Sequence, residues 1–130
     1  MAEAITAGIS SEGIPVKPIH IRSSHRSDIM TEVMDAKAII VGSPTLNNNL
    51  FPSVSDFLTY MKGLRPKDKI GAAFGSYGWS GEAVRLINNE LEAMKFDMVD
   101  PGLRIQYIPD QNGVEAAFQL GEKIGKAINK

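Results

Sequence analysis

The chain has 130 residues, 43% of them hydrophobic and 22% charged, with a formal net charge of -1. This is the make-up of one soluble globular domain, without the positive charge that a nucleic-acid partner requires. The absence of cysteine excludes disulfides and thiol catalysis, and no apolar run approaches the ~20 residues of a membrane span.

Met1, Ile5 and Ile9 recur at four-residue spacing among alanines, which predicts a helix over residues 1–11 closed by Glu12 and Gly13. Residues 16–21 alternate apolar and polar, as a half-exposed strand does. Pro18 cannot donate to a ladder and places that strand at a sheet edge. Ser27 and Asp28 read as the cap and first turn of a helix carrying Ile29, Met30, Val33 and Met34. Residues 38–42 are apolar without alternation, the pattern of a strand buried on both faces of a parallel sheet.

Pro52 suits a helix first turn, and Val54, Phe57, Leu58 and Met61 follow at i, i+3, i+4 and i+7, with Gly63 as the stop. Residues 70–75 form a second continuous apolar strand, whose small residues imply close helix packing. The next helix places Val84, Ile87, Leu91 and Met94 on one face. Residues 103–108 alternate again, as an edge strand. A final helix turns Val114, Ala117, Phe118, Gly121, Ile124 and Ile128 inward, with Lys123, Lys126 and Lys130 near its negative end. Strands alternating with helices predict a single α/β domain, residues 1–130, with a parallel sheet covered on both faces.

Both buried strands end in Gly-Ser, at Gly42-Ser43 and Gly75-Ser76. In an open α/β sheet, ligands sit beyond the carboxyl ends of the strands. If the two strands are neighbours, their loops wall one cleft. The first wall carries Thr45, Asn47, Asn48 and Asn49; the second carries Tyr77 and Trp79 between glycines. Amides facing an aromatic suit a flat heteroaromatic ligand with a polar edge.

The run from Ser43 to Pro52, with Asp56, Phe57, Leu58, Gly63 and Leu64, resembles the second flavin loop and following helix of flavodiiron proteins. The run from Ala72 to Ala83 resembles their third flavin loop. The resemblance is dense over residues 36–84 and weaker on either side. It implies a three-layer flavodoxin-like α/β fold, strand order 2-1-3-4-5, with FMN as cofactor. Carried over, Pro44, Thr45, Leu46 and Asn47 line one side and the edge of the flavin ring. Ser76, Tyr77, Gly78, Trp79 and Gly81 line the other. A near-neutral apolar pocket disfavours the negative charge that accumulates on reduction and so lowers the potential.

In that family the first strand is central, and a Ser/Thr-rich loop after it holds the FMN phosphate at a helix N-terminus. Here the resemblance begins inside that helix, so the first strand and phosphate loop are expected to be absent and the domain N-terminally incomplete. The family's reduction of dioxygen or nitric oxide resembles the work of a separate di-iron domain with a metallo-β-lactamase-like fold. His20 and His25 are the only histidines and have no carboxylates at ligand spacing, so no metal ligand and no catalytic residue are expected here. The implied partners are that di-iron domain, a rubredoxin-like or flavin reductase electron donor, and further copies in a homo-oligomeric parent. A cytoplasmic location is the default, because residues 1–20 lack a signal-peptide pattern.

The leading expectation is therefore an FMN-binding electron-transfer module. An NAD(P)H:quinone reductase-like flavoprotein shares a Gly-Ser-Pro-Thr loop, but Tyr77-Gly78-Trp79-Ser80 argues against it. A flavin-free α/β interaction domain is the third possibility; the acidic cluster and lysine of a phosphate receiver are not evident.

Overall fold

The computed structural model of the chain describes residues 1–46 and 48–130, and Asn47 lies outside them. The elements are helix α1 (Ala2–Ser10), a 3-10 turn (Ile21–Ser23), α2 (Arg26–Asp35), strand β1 (Ala38–Gly42), the short strands β2 (Thr45–Leu46) and β3 (Asn49–Leu50), α3 (Pro52–Leu64), β4 (Ile70–Tyr77), α4 (Glu82–Ala93), β5 (Asp97–Met98), β6 (Leu103–Gln106) and α5 (Gln111–Ile128). β4 is central: β1 pairs with it in parallel from Ala38↔Ile70 to Gly42↔Phe74, and both β5 and β6 pair with it in parallel. The chain is thus a three-layer α/β fold of the flavodoxin type.

Side-chain alternation along the strands builds two cores. Ile39, Val41 and Ala73 point into a cluster with Phe57, Leu58 and Met61 of α3, Ile87 and Leu91 of α4, and Ile29 and Val33 of α2. Ala72 points the other way, into a cluster with Ile5 and Ile9 of α1 and Ala117, Leu120 and Ile124 of α5; Ile40 and Phe74 pack against it. The unbroken apolar pattern of β1 and β4 follows from this, because each residue meets helices on one face or the other.

The predicted edge strand at 16–21 is not a strand. Residues 14–20 are irregular and make no ladder, and the 3-10 turn begins at Ile21. Its alternation is nonetheless expressed in packing: Ile14 and Val16 lie against the α1–α5 cluster, while Ile19 and Ile21 lie against the other. Alternation reports where side chains go, whereas a ladder requires a neighbouring strand. Among the described residues, β1 likewise pairs on one edge only.

The opposite edge also differs from expectation. A two-residue strand, β5, precedes β6, and the pair occupies one edge of β4 in two pieces. A turn separates them, with Asp100 accepting from Gly102 N–H at 2.9 Å and Gly102 at φ +106°. β6 stops at Gln106 rather than running to 108.

Three helix details need correction. His25, not Ser27, caps α2: its Nδ1 accepts from Ser27 N–H at 3.1 Å. α3 continues through Gly63 to Leu64, and Arg65 closes it in the left-handed region at φ 53°. Val114 is 46% exposed rather than inward, because it lies in the first turn of α5, before that helix reaches α1.

α1 and α5 cross at their backbones. A side chain at Gly8 would collide with the Phe118 carbonyl, and one at Gly121 with the Ile5 carbonyl. Gly8→Ala or Gly121→Ala should each cost about 1–3 kcal/mol through overpacking. Gly63, inside α3 with open space around it, is the control: Gly63→Ala should stabilise by about 0.5–1 kcal/mol. Chemical denaturation of the three variants checks both signs.

Candidate functional site

The β1–β4 register brings Gly42-Ser43 and Gly75-Ser76 to the same end of the sheet, although β4 runs past residue 75 to Tyr77. The β1–β4 ladder runs one bond further, from Ser43 N–H to the Phe74 carbonyl at 3.2 Å. A cleft of about 340 Å³ opens there, a volume suited to a cofactor-sized ligand. Residues 42–44 and 74–76 line its inner side, residues 107–109 its outer rim, and Met1 and Ala2 its third side. No acidic or basic side chain lines it among the described residues. The two strand ends approach so closely that a side chain at Gly75 would strike the Ser43 carbonyl.

Ser43 holds the first loop at both ends. Its side chain is buried; Oγ donates to the Pro44 carbonyl at 2.8 Å and accepts from Phe51 N–H at 3.0 Å. Between them β2 and β3 form a small antiparallel hairpin, with Asn48 at φ 61° in its turn, a conformation that Asn tolerates. Leu50 is buried in the same cluster as Ala83. Thr45 Oγ1 accepts from Ala83 N–H at 3.1 Å, supplying the cap that Gly81, at the N-cap of α4, lacks.

The second loop leans on β6. Tyr107 N–H donates to the Tyr77 carbonyl at 2.6 Å, Gln106 Nε2 donates to the Gly78 carbonyl at 3.3 Å, and the Arg104 guanidinium lies 5.7 Å from the Tyr77 ring centre. Such exposed cation–aromatic contacts contribute about 0.5–1 kcal/mol. The Ser80 hydroxyl donates to Asn48 Oδ1 at 2.8 Å, joining the two loops directly.

Of the residues expected from sequence, Pro44 and Ser76 line the cleft itself. Thr45, Leu46, Tyr77, Gly78, Trp79 and Gly81 stand in the two loops beside it, and Asn47 lies outside the described residues. The amide-rich wall is largely engaged within the protein: Asn48 with Ser80, and Asn49 Oδ1 with Leu50 N–H at 2.7 Å. Trp79 is 94% exposed. Sequence reading missed Tyr107 and Ile108, exposed apolar side chains on the cleft rim, because they follow a strand without a glycine-rich signature.

A larger opening of about 450 Å³ lies between the 3-10 turn, α2 and α3, with Arg22, His25 and Arg26 among its lining residues. It adjoins the first loop from the α3 side: Arg22 lies 5.3 Å from the ring centre of Phe51, whose N–H donates to Ser43 Oγ. The described residues contain no gathering of three or more His, Cys, Asp or Glu side chains that could hold a metal ion, and no helix long and apolar enough to cross a membrane.

Comparison with known proteins agrees with this architecture. The family model described as flavodoxin matches residues 1–121. The chain is 40% identical over 129 residues to the nitric oxide reductase of Moorella thermoacetica, covering 98% of this chain and 32% of that protein. It is 41% identical over 128 residues to the rubredoxin-oxygen oxidoreductase of Megalodesulfovibrio gigas, again over 98% and 32%. Among solved structures, the rubredoxin oxygen:oxidoreductase from Desulfovibrio gigas superposes with a TM-score of 0.96 at 40% identity, over 98% of this chain and 32% of that one. A flavodoxin from the domain Archaea superposes with a TM-score of 0.89 at 35% identity, over 98% and 87%. The chain therefore spans 32% of each of these two oxidoreductases and most of the archaeal flavodoxin.

The Ser43 contacts can be tested without any ligand. Ser43→Ala should leave Phe51 N–H without its partner and cost about 1–3 kcal/mol, read as a lower denaturation midpoint with an unchanged denaturant slope.

Proposed function

The chain belongs to the flavodoxin family, and from that premise we propose that it is an FMN-binding electron-transfer module serving a di-iron reductase of dioxygen or nitric oxide. The observation that carries this reading is the cleft beside Gly42-Ser43 and Gly75-Ser76, without acidic or basic side chains, with the exposed Trp79 in the loop next to it. FMN is the cofactor of flavodoxin domains, and the residues present fit it: the volume suffices, the lining is apolar or hydroxylic, and the Tyr107 ring stands at its edge.

Bound FMN supplies electron transfer in single or paired steps. The chain's own residues do the rest. Residues 44–47 would hold one side of the ring, and Ser76, Tyr77, Gly78, Trp79 and Gly81 the other. A weakly polar lining without acidic or basic side chains around the ring disfavours added negative charge there. Ser43, Thr45 and Ser80 tie the two loops to the sheet, to α4 and to each other, so their separation is set before a ligand arrives.

The names of the relatives support the wider assignment. In this reading a di-iron domain of metallo-β-lactamase-like fold accepts the electrons, a rubredoxin-like protein or a flavin reductase supplies them, and the parent works as a homo-oligomer in the cytoplasm. Residues 1–130 act as one domain of that parent. The archaeal relative, matched over 87% of its length, favours a second reading in which the chain acts as a free flavodoxin. Reduction of the FMN-loaded chain by a rubredoxin or a flavin reductase favours the first.

Titration with FMN should quench Trp79 fluorescence, and Trp79→Ala should weaken binding severalfold to about tenfold, the worth of one aromatic stacking contact. If the titration changes neither the tryptophan emission nor the flavin absorbance, the assignment fails.

A further inference from the structure

Tyr107 belongs to neither flavin loop, yet it lines the cleft. It combines two unfavourable features in one residue. Its backbone lies in the left-handed region at φ 59°, which side chains other than Gly, Asn and Asp seldom adopt, and its ring is 68% exposed. The other left-handed residues without this combination are Asn48, of a type that tolerates the conformation, and Arg65, Asp68 and Lys95, which sit at the opposite end of the sheet in turns leading into β4 and β5.

The strained backbone is held in place. Tyr107 N–H donates to the Tyr77 carbonyl at 2.6 Å, and the neighbouring Gln106 side chain reaches the Gly78 carbonyl. The ring lies against the second loop: a side chain at Gly78 would come within 3.3 Å of Tyr107 Cε1. The chain thus presents an exposed aromatic at the cleft mouth on a backbone conformation that side chains resist. Strain of this kind persists where the surroundings enforce it, and an observed outlier at a binding cleft points to a role there.

We propose that Tyr107 is a cofactor-contacting residue, its ring forming an aromatic wall of the FMN cleft that comes from the segment just after β6 rather than from either flavin loop. This rests on the FMN assignment above. The contact needs the ring and its placement, not the hydroxyl.

The test separates backbone from ring. Tyr107→Gly and Tyr107→Asn both relieve the left-handed conformation and remove the aromatic, whereas Tyr107→Phe keeps the ring. A purely structural role predicts that the Gly and Asn variants melt higher and bind FMN as the unaltered chain does. A cofactor contact predicts that they melt higher yet bind FMN about three- to tenfold more weakly. It also predicts a changed visible circular dichroism of the bound flavin, while the Phe variant stays within about twofold of the unaltered chain. FMN affinity unchanged in both the Gly and Asn variants overturns the inference and leaves the FMN assignment standing. A Phe variant as weak as the Gly variant overturns the aromatic wall. If the unaltered 130-residue chain binds no FMN, the assignment and this inference fall together.

Discussion

The parallel register between β1 and β4 is the constraint on which the site depends. Gly42 opposite Phe74, with one further bond from Ser43 N–H, ends β1 beside Phe74 while β4 runs on to Tyr77 against β6. Parallel pairing then sends both loops out of the same side of the sheet. A shift of one residue would turn Ile39 and Val41 away from α3 and α4 and toward α1 and α5, exchanging the two cores. The cleft therefore inherits its position from hydrophobic burial on both faces of the sheet.

Polar contacts refine what burial establishes. The Ser43 hydroxyl, the Thr45 cap on α4 and the Ser80–Asn48 bond each join backbone or side chains across the loops. Each such bond contributes about 0.5–1.5 kcal/mol net, small beside the burial of Phe57, Leu58 or Met61. Their importance is geometric: they leave the hairpin few ways to move relative to the second loop. The aromatic groups at the rim gain little from burial, and Trp79 and Tyr107 stand in solvent where no folding argument places them.

Much of this was legible in the residues. The i, i+3, i+4 spacing of Val54, Phe57 and Leu58 and the unbroken apolar runs at 38–42 and 70–75 report burial directly, and burial is what decides these elements. The paired Gly-Ser endings located the cleft. What was not legible depends on neighbours distant in sequence. Residues 16–21 alternate like a strand but have no adjacent ladder; β5 is too short to carry a period; and His25 displaces Ser27 as a cap through the position of one ring nitrogen. Tyr107 reads as the end of an alternating strand, and nothing local announces that its backbone turns into the left-handed region.

The crossing of α1 and α5 at Gly8 and Gly121 has a consequence for the order of assembly. It joins segments far apart in sequence, around Gly8 and Gly121, so forming it closes a long loop. Contacts of such span generally follow local ones during folding. The β1–β4 sheet with α3 and α4 can organise from neighbouring segments, whereas α1 must wait for α5. Because Met1 and Ala2 form one side of the cleft, that side is in place only when α1 is docked against α5. A complete cleft thus depends on a contact between helices distant in sequence as well as on the central strands.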